Sequence, residues 1–172
     1  TNQFSLPVDE LPKEWYNIQP DLPEPLPIPK EPGDGVSRMD FLNRTMINEC
    51  LKQEFSPMRW VPIPEEVREL YIQVGRPRPL YRALKLEQYL KLKKTRIYYK
   101  REDLSPTGSH KTNTALAQAY FAAKAGIHTL ATETGAGQWG TALTHAARLM
   151  GLNCVVFWVR SVYNWKLDRR TF

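Results

Sequence analysis

Three short β-rich runs alternate with two helical patterns in the second half of the 172-residue chain, and this alternation limits the fold more than any other feature. The runs RIYYK, TLATE and CVVFWV occupy residues 96–100, 129–133 and 154–159. Between them lie a helical stretch through residue 125 and a second one with apolar spacing from Leu143 to Met150. The order β-α-β-α-β predicts an α/β fold with a parallel sheet and right-handed crossovers. Because CVVFWV is almost entirely apolar, we expect it to be fully buried.

The N-terminal region has a different composition, because residues 7–32 contain eight of the fourteen prolines. This density predicts an extended, polyproline-type arm over residues 1–36. The arm also carries apolar side chains, which a free linker would not need, so it should lie on a surface of its own domain or of a partner subunit. They are Trp15, Tyr16, Leu22, Leu26 and Ile28.

Residues 37–95 form a predicted helical segment, and residues 96–172 form the α/β part. Ser37 is a good N-cap, and the apolar spacing that follows predicts one helix that continues to Cys50. A second helix should begin at Pro64 and end at Gly75. A third, shorter helix should end in the lysine cluster of residues 91–94.

The net charge of +6 is unevenly distributed, with −4 in residues 1–60 and +10 in residues 61–172. A basic half could favour nucleic acid, but its one tight lysine cluster falls where a helix should end, so a solvated helix end is the preferred interpretation. An anionic small-molecule ligand is the other use of the positive charge. No apolar run is long enough to cross a membrane, and the first residues lack the pattern of a secretory signal, which favours the cytoplasm. Cys50 and Cys154 make no metal-type pair and are expected to be small buried thiols.

The loop SPTGSHKTN, residues 105–113, is a candidate ligand site because ligands bind at the carboxyl ends of strands in α/β sheets. Ser109 is a plausible N-cap, and the free amides of the first helical turn would then form an anion site. Lys111 opposes the helix dipole there, so helix stability does not explain it. Desolvation beside positive dipole ends favours the free amine that Schiff-base chemistry requires. The alternative interpretation is a surface lysine at a loose helix start.

The loop ETGAGQWG, residues 133–140, is the second candidate. Its three glycines let the backbone approach a ligand, and another helix begins behind them, which suits a carboxylate or phosphate. The pattern is neither a dinucleotide fingerprint nor a P-loop. Glu133 ends an apolar strand and is a candidate general acid or base. A plain strand-to-helix turn, with Glu133 paired to a neighbouring cation, is the alternative.

These segments resemble the tryptophan synthase β chain. KREDLSPTGSHKTN (residues 100–113) and ETGAGQWG match its two signature segments, and GRPRPLYRA (residues 75–83) matches a third. The family shares its fold type with cysteine synthase and threonine synthase, which tend to have Phe before the lysine where this chain has His110. The proline-rich arm and Trp139 make the chain similar to the longer, second type of β chain.

The resemblance implies a pyridoxal 5′-phosphate (PLP) enzyme that combines L-serine with indole to give L-tryptophan. Lys111 would hold PLP as a Schiff base, His110 would contact its phosphate, and Asn113 would lie near its ring. Glu133 would be the acid/base. The substrate carboxylate would be bound by Thr134, Gly135, Ala136, Gly137 and Gln138.

The resemblance also implies a longer protein, because the glycine-rich phosphate cup of the family lies in a later part of the chain. The strand before Lys111 would belong to the sheet of the other domain, and CVVFWV would lack some of its cover. A homodimer and an α chain are the implied protein partners. Two alternatives remain: another PLP reaction such as serine deamination, and an inactive fragment that acts as an assembly module.

Overall fold

The computed structural model describes residues 2–27, 30, 31, 33 and 35–160. Its strands are β1 (Gln3–Phe4), β2 (Glu14–Tyr16), β3 (Trp60–Pro62), β4 (Leu80–Arg82), β5 (Tyr98–Lys100), β6 (Thr129–Thr134) and β7 (Asn153–Trp158). Its α-helices are α1 (Arg38–Thr45), α2 (Asn48–Glu54), α3 (Glu65–Gln73), α4 (Leu84–Tyr89), α5 (Lys111–Lys124) and α6 (Gln138–Leu149). The mixed α/β content is the content that the sequence predicts.

A parallel β-α-β unit is formed by β6, α6 and β7, as predicted. The register pairs Leu130 with Cys154 and Glu133 with Phe157, so each face of the sheet combines alternate residues of both strands. α6 lies close against one face at Gly140, where a Cβ atom would come within 2.6 Å of Val156. Only a glycine permits this approach, so Gly140 sets how closely α6 packs on the sheet.

The prediction that all three β-rich runs form one parallel sheet is wrong for the first of them. β5 pairs antiparallel with β4, with Leu80 opposite Lys100, in a sheet of order β1-β4-β5. The sequence rule assumed that consecutive strands are neighbours, whereas here the chain leaves one sheet after Lys100 and enters another at Thr129. The resemblance implied this placement of the strand before Lys111, and the antiparallel pairing agrees with it.

The apolar pattern predicted a fully buried last strand, which is wrong for the described residues, whereas the incomplete cover that the resemblance implied for CVVFWV is observed. Val155 and Phe157 are 45% and 64% exposed on the face turned away from α6. Cys154 and Val156, on the other face, are half-buried. The strand is therefore covered on one face only.

The core lies where α3, α5 and α6 meet. α5 and α6 contribute mostly alanines, such as Ala115, Ala119 and Ala146, which are completely buried. Small side chains allow the two helix backbones to approach closely, and Val67 and Leu116 fill the remaining space. This contact fixes the direction of α5 relative to α6, which positions the site.

The N-terminal arm lies on its own chain over residues 2–22. β2 pairs antiparallel with β3, Leu11 is 3% exposed, and the Trp15 ring packs against Phe121 with 6.4 Å between centroids. Short strands and 3₁₀ turns at residues 8–10 and 19–21 interrupt the expected polyproline conformation. Leu26 is exposed, and the position predicted for Ile28 lies outside the described residues.

Ser37 caps α1 as predicted, since its hydroxyl accepts a hydrogen bond from the amide of Asp40 at 3.1 Å. The single helix predicted to continue to Cys50 is wrong, because Met46 and Ile47 adopt extended backbone conformations that separate α1 from α2. The apolar spacing continues across this break, which is why the pattern did not reveal it.

The second and third predicted helices are confirmed as α3 and α4. α3 starts directly after Pro64, and Gly75 follows it with a φ of 83°. α4 ends at Tyr89, so the lysine cluster of residues 91–94 comes after the helix, not within its last turn. These lysines are exposed, as a solvated helix end requires.

Candidate active site

The first turns of α5 and α6 point toward the same edge of the parallel sheet. α6 begins four residues after β6 ends, so its N-terminus lies at the carboxyl end of that strand. α5 ends at Lys124, and the tight turn that follows, with Ile127 donating to the carbonyl of Ala122 at 3.0 Å, leads directly into β6. α5 therefore runs back against the direction of β6, and its first residue, Lys111, is carried to the same edge.

The loop before α5, residues 105–110, is called the lysine loop here. The Ser105 hydroxyl donates to the carbonyl of Ser109 at 2.7 Å and accepts from its amide at 2.9 Å. Both serines are buried. The prediction that Ser109 is the N-cap is wrong, because His110 occupies that position with a helical backbone and no capping side chain. Ser105 instead fixes the backbone of Ser109, two residues before α5 begins.

Lys111 is half-buried and His110 is exposed at the start of α5. The next residue, Thr112, is completely buried, and its hydroxyl is hydrogen-bonded to that of Thr107. Asn113 donates its amide hydrogen to the carbonyl of His110 at 3.0 Å, which closes the first turn. The backbone that carries Lys111 is thus held by bonds on both sides of it.

Asn113 also links this turn to the end of β5. Its side-chain amide donates to the Glu102 carboxylate at 3.2 Å, and its Oδ1 atom is buried without a hydrogen-bond partner among the described residues. The hydroxyl of Ser109 is buried and unpaired in the same part of the structure. Unsatisfied buried polar atoms are uncommon in folded proteins, and two of them lie within three residues of Lys111.

The loop before α6, residues 134–137, is called the glycine loop here. Gly137 has a φ of 92°, and a Cβ atom on it would come within 2.8 Å of the Trp158 ring. The Trp158 indole nitrogen donates to the carbonyl of Gly135 at 2.8 Å. Trp158, at the end of β7, therefore supports the glycine loop. Glycine is required at position 137, because a side chain would be strained at this φ and would overlap the Trp158 ring.

Glu133 and Thr134 lie on opposite faces of β6. Thr134 is 2% exposed, and its hydroxyl accepts from the amide of Gly140 at 3.2 Å, so it supports the first turn of α6. Glu133 is exposed and precedes the loop. Ala136 and Gln138 are exposed as well, so the loop presents its backbone and small side chains outward.

The predicted site residues thus fall into two groups at one sheet edge. One group is the first turn of α5 with Lys111, His110 and Asn113, and the other is the end of β6 with Glu133 and residues 134–138.

Asn113 also lines a cavity of about 950 Å³ between α2, α5 and β6. Trp139 lines it too, and its indole nitrogen donates to the Thr132 hydroxyl at 2.8 Å.

Two charged residues near this site had no sequence signal of their own. Arg78 is 2% exposed although it lies in the turn-rich segment GRPRPL, where a surface side chain is the usual expectation. Burial lowers the pKa of Arg78, while the negative charge of Glu102 opposes that shift. Only the pairing of β4 with β5, which sequence analysis did not predict, brings these two residues together.

The described residues contain neither a metal-type cluster nor a membrane-spanning helix. No group of three or more His, Cys, Asp or Glu side chains in this part of the chain could hold a metal ion. No helix there is long and apolar enough to cross a bilayer. Cys50 and Cys154 are free and half-buried, and burial raises the pKa of the Cys50 thiol.

The residues at the start of α5 fit an anionic cofactor with an aldehyde. Lys111 is the first residue of a 14-residue helix, whose free first-turn amides favour a phosphate group. The buried Oδ1 of Asn113 and hydroxyl of Ser109 remain available for polar groups of a ligand. Amine, anion site and unpaired polar atoms are the groups that a phosphorylated pyridine aldehyde requires.

Comparison with known proteins gives the same chemistry. The profile of the family described as pyridoxal-phosphate dependent enzyme matches residues 72–170. The chain is 55% identical over 170 residues to tryptophan synthase beta chain 2 of Methanothermobacter thermautotrophicus, which covers 99% of this chain and 39% of the relative. Identity is 52% over 164 residues to tryptophan synthase beta chain 1 of Sulfurisphaera tokodaii, covering 95% and 39% of the two chains.

Identity to the tryptophan synthase beta chain of Pyrococcus horikoshii is 54% over 162 residues, covering 94% of this chain and 35% of the relative. The chain therefore spans 35–39% of the length of these three relatives. The matched region includes both loops and both groups of site residues. The chain belongs to the family of pyridoxal-phosphate dependent enzymes.

Proposed function

We propose that this chain is part of an enzyme that makes L-tryptophan from L-serine and indole by PLP-dependent β-replacement. The observation that carries the proposal is the placement of Lys111 and Glu133 at one edge of the parallel sheet, in a chain that is 55% identical to a tryptophan synthase beta chain. When bound, PLP supplies an electron sink for the carbon atoms of the amino acid. The residues of this chain supply binding, orientation and proton transfer.

The lysine loop and the first turn of α5 would hold the cofactor. Lys111 would bind it through its amine, and His110 with the first-turn amides would contact its phosphate. Asn113 would lie near its ring, where the unpaired Oδ1 atom can accept a hydrogen bond. The hydrogen bonds of Ser105 and Thr112 support this assignment, because they fix the backbone on both sides of Lys111 before any ligand arrives.

The glycine loop would bind the carboxylate of the amino acid. The amides of residues 134–138 lead into the positive end of α6, and the glycines leave the backbone open to a ligand. Glu133, next to them, would donate a proton to the serine hydroxyl as it leaves and accept a proton from indole. Its exposure supports this role, since substrate can reach the carboxylate directly.

The decisive experiment is Lys111→Ala in the full-length chain, followed by PLP binding and borohydride reduction. We expect the visible absorbance of lysine-bound PLP and the borohydride-fixed adduct to disappear, because Lys111 carries the reacting amine. Lys93→Ala, an exposed lysine of the cluster after α4, is the matched control and should keep both signals. A fixed adduct at another lysine in the Lys111→Ala protein would refute the assignment.

The reaction class is tested by incubation with L-serine, with and without indole. Tryptophan formation that depends on indole is the expected result. Pyruvate without tryptophan would identify the enzyme as a serine deaminase instead. The product has to decide, because both reactions would use the same lysine and carboxylate.

We also infer protein partners for this chain, a second copy of itself and an α chain. The relatives are named as beta chains, which is consistent with a multi-chain enzyme. Size-exclusion chromatography with and without an α chain tests this inference. A monomer that binds neither a second copy nor the α chain would contradict it. Association without any PLP adduct would favour an assembly module.

A further inference from the structure

Arg78 is a buried cation with incomplete hydrogen bonding. It is 2% exposed, and its Nε and Nη2 atoms have no partner among the described residues. These two nitrogens form the side of the guanidinium group that grips a carboxylate in two parallel bonds. Arg82 uses them in this way on Glu87, at 3.0 and 2.8 Å, and Arg101 uses them on Asp103, at 2.8 Å for each bond.

Arg78 and Glu102 lie just outside the paired ends of β4 and β5. β4 and β5 pair Leu80 with Lys100, and the ladder continues one step further, since the Arg101 amide donates to the carbonyl of Pro79 at 3.0 Å. Arg78 and Glu102 are the direct sequence neighbours of these two bonded residues, and the negative charge of Glu102 opposes the lowering of the pKa of Arg78 by burial. Glu102 in turn accepts the side-chain amide of Asn113, in the first turn of α5, at 3.2 Å.

Stability does not explain a guanidinium group in this position. An apolar side chain of similar length would avoid the cost of removing the charge from water, and such replacements of buried ionic groups are often neutral or stabilising. Arg78 also occupies space next to Gly75, where a Cβ atom would come within 2.9 Å of its Nη1 atom. The free energy of folding therefore gives no reason for a charge at this position.

We propose that Arg78 is a positioning residue for Lys111, acting through Glu102 and Asn113. This inference rests on the proposed function of Lys111 as the residue that binds PLP. Arg78 keeps a positive charge beside the Glu102 carboxylate and so holds it toward the end of β5. Glu102 accepts a hydrogen bond from the side-chain amide of Asn113, and the backbone amide of the same residue closes the first turn of α5 by donating to the carbonyl of His110 at 3.0 Å. The turn between these contacts carries Lys111.

The test is Arg78→Met in the full-length chain, with two separate measurements. The urea midpoint should stay the same or rise, because the Nε and Nη2 atoms of Arg78 have no hydrogen-bond partner to lose among the described residues and the charge no longer has to be buried. The rate at which added PLP forms a borohydride-fixed adduct at Lys111 should fall by about 10-fold or more, because small displacements of a reacting group are costly in rate. A residue with a purely structural role would lower both quantities together.

Arg82→Met is the matched control on the same strand. In the native protein the Arg82 Nη2 atom lies 2.8 Å from Oε2 of the buried Glu87 carboxylate. Arg82→Met leaves that carboxylate without its partner, so the urea midpoint should fall. Adduct formation at Lys111 should remain unchanged in the folded protein, because Glu87 contacts β4 and the residue before β5, not α5.

Arg78→Lys keeps the charge and should retain most of the native rate of adduct formation at Lys111. It also tests the inference if Arg78→Met does not fold. The inference is overturned if Arg78→Met forms the adduct at the native rate, if rate and midpoint fall together, or if Arg78→Lys is as slow as Arg78→Met. Failure of the proposed function gives a different result, because the native chain itself would then form no adduct at Lys111.

Discussion

The lysine loop is held in place by side chains of its own residues, whereas the glycine loop is held by a strand that follows much later in the chain. In the lysine loop, Ser105 bonds to Ser109 four residues away. In the glycine loop, Trp158 bonds to Gly135 across 23 residues and packs under Gly137. Both loops begin a helix at the same sheet edge, yet one is fixed by hydrogen bonds among its own residues and the other by a hydrogen bond and ring packing from β7.

The difference indicates that the two halves of the site respond to different changes. A change in β7 should disturb the glycine loop and leave the lysine loop intact, because no contact of Ser105 or Thr112 described above involves β7. A change in the hydroxyl groups of the lysine loop should have the opposite effect. Each prediction below alters one of the two halves.

The largest effect is expected for Glu133→Ala, which removes the proposed acid/base next to the glycine loop. The turnover of serine and indole should fall by ~10²–10⁴, the usual contribution of a general acid or base. The urea midpoint should change little, because Glu133 is exposed. Glu69→Ala, at an exposed position of α3, is the control. Unchanged turnover would remove Glu133 from the mechanism.

Gly137→Ala should destabilise the glycine loop by roughly 3 kcal/mol. The positive φ of 92° costs an L-residue about 1–2 kcal/mol, and overlap of the new methyl group with the Trp158 ring adds at least as much. Gly126→Ala is a matched control, because Gly126 has a φ of 73° but nothing within 4 Å of a Cβ atom. Equal urea midpoints for the two variants would show that Trp158 does not support the loop.

Ser105→Ala should cost about 1–3 kcal/mol, since it leaves the buried amide of Ser109 without its acceptor. Ser109→Ala is the control, and its cost should be near zero because its own hydroxyl has no partner in the described part of the chain. Thermal unfolding of both variants measures the difference. A loss of about 1 kcal/mol in Ser109→Ala would instead indicate that Ser109 caps α5.

The sequence was sufficient to predict the positions of Lys111 and Glu133 because the signals for them are local. A β-rich run followed by glycines and a helical pattern defines a strand end and a helix start, and both residues stand at such points. The contact between Trp158 and Gly137 was not predictable, because it depends on the register of two strands that are joined by a whole helix. Burial of Arg78 was missed for the same reason, since it follows from the pairing of β4 with β5.

Local patterns also failed where two conformations share one spacing of apolar residues. The predicted helix from Ser37 to Cys50 is broken at Met46 and Ile47, yet its apolar positions continue through the break. The β-rich run at residues 96–100 was correctly predicted as a strand over residues 98–100, but nothing in five residues specifies a partner. Sheet membership depends on where the following helix packs, and that is decided by contacts between α5, α6 and α3.

The hydrogen bond from Trp158 to Gly135 implies an order of assembly during synthesis. The contacts of the lysine loop connect residues that are at most eleven positions apart, so they can form as soon as this stretch has left the ribosome. The glycine loop must wait for the chain to extend a further 23 residues and for β7 to pair with β6. Longer loops close more slowly because more chain entropy is lost before the first contact forms. The lysine half of the site therefore matures first, and the glycine loop is completed only when β7 is in place.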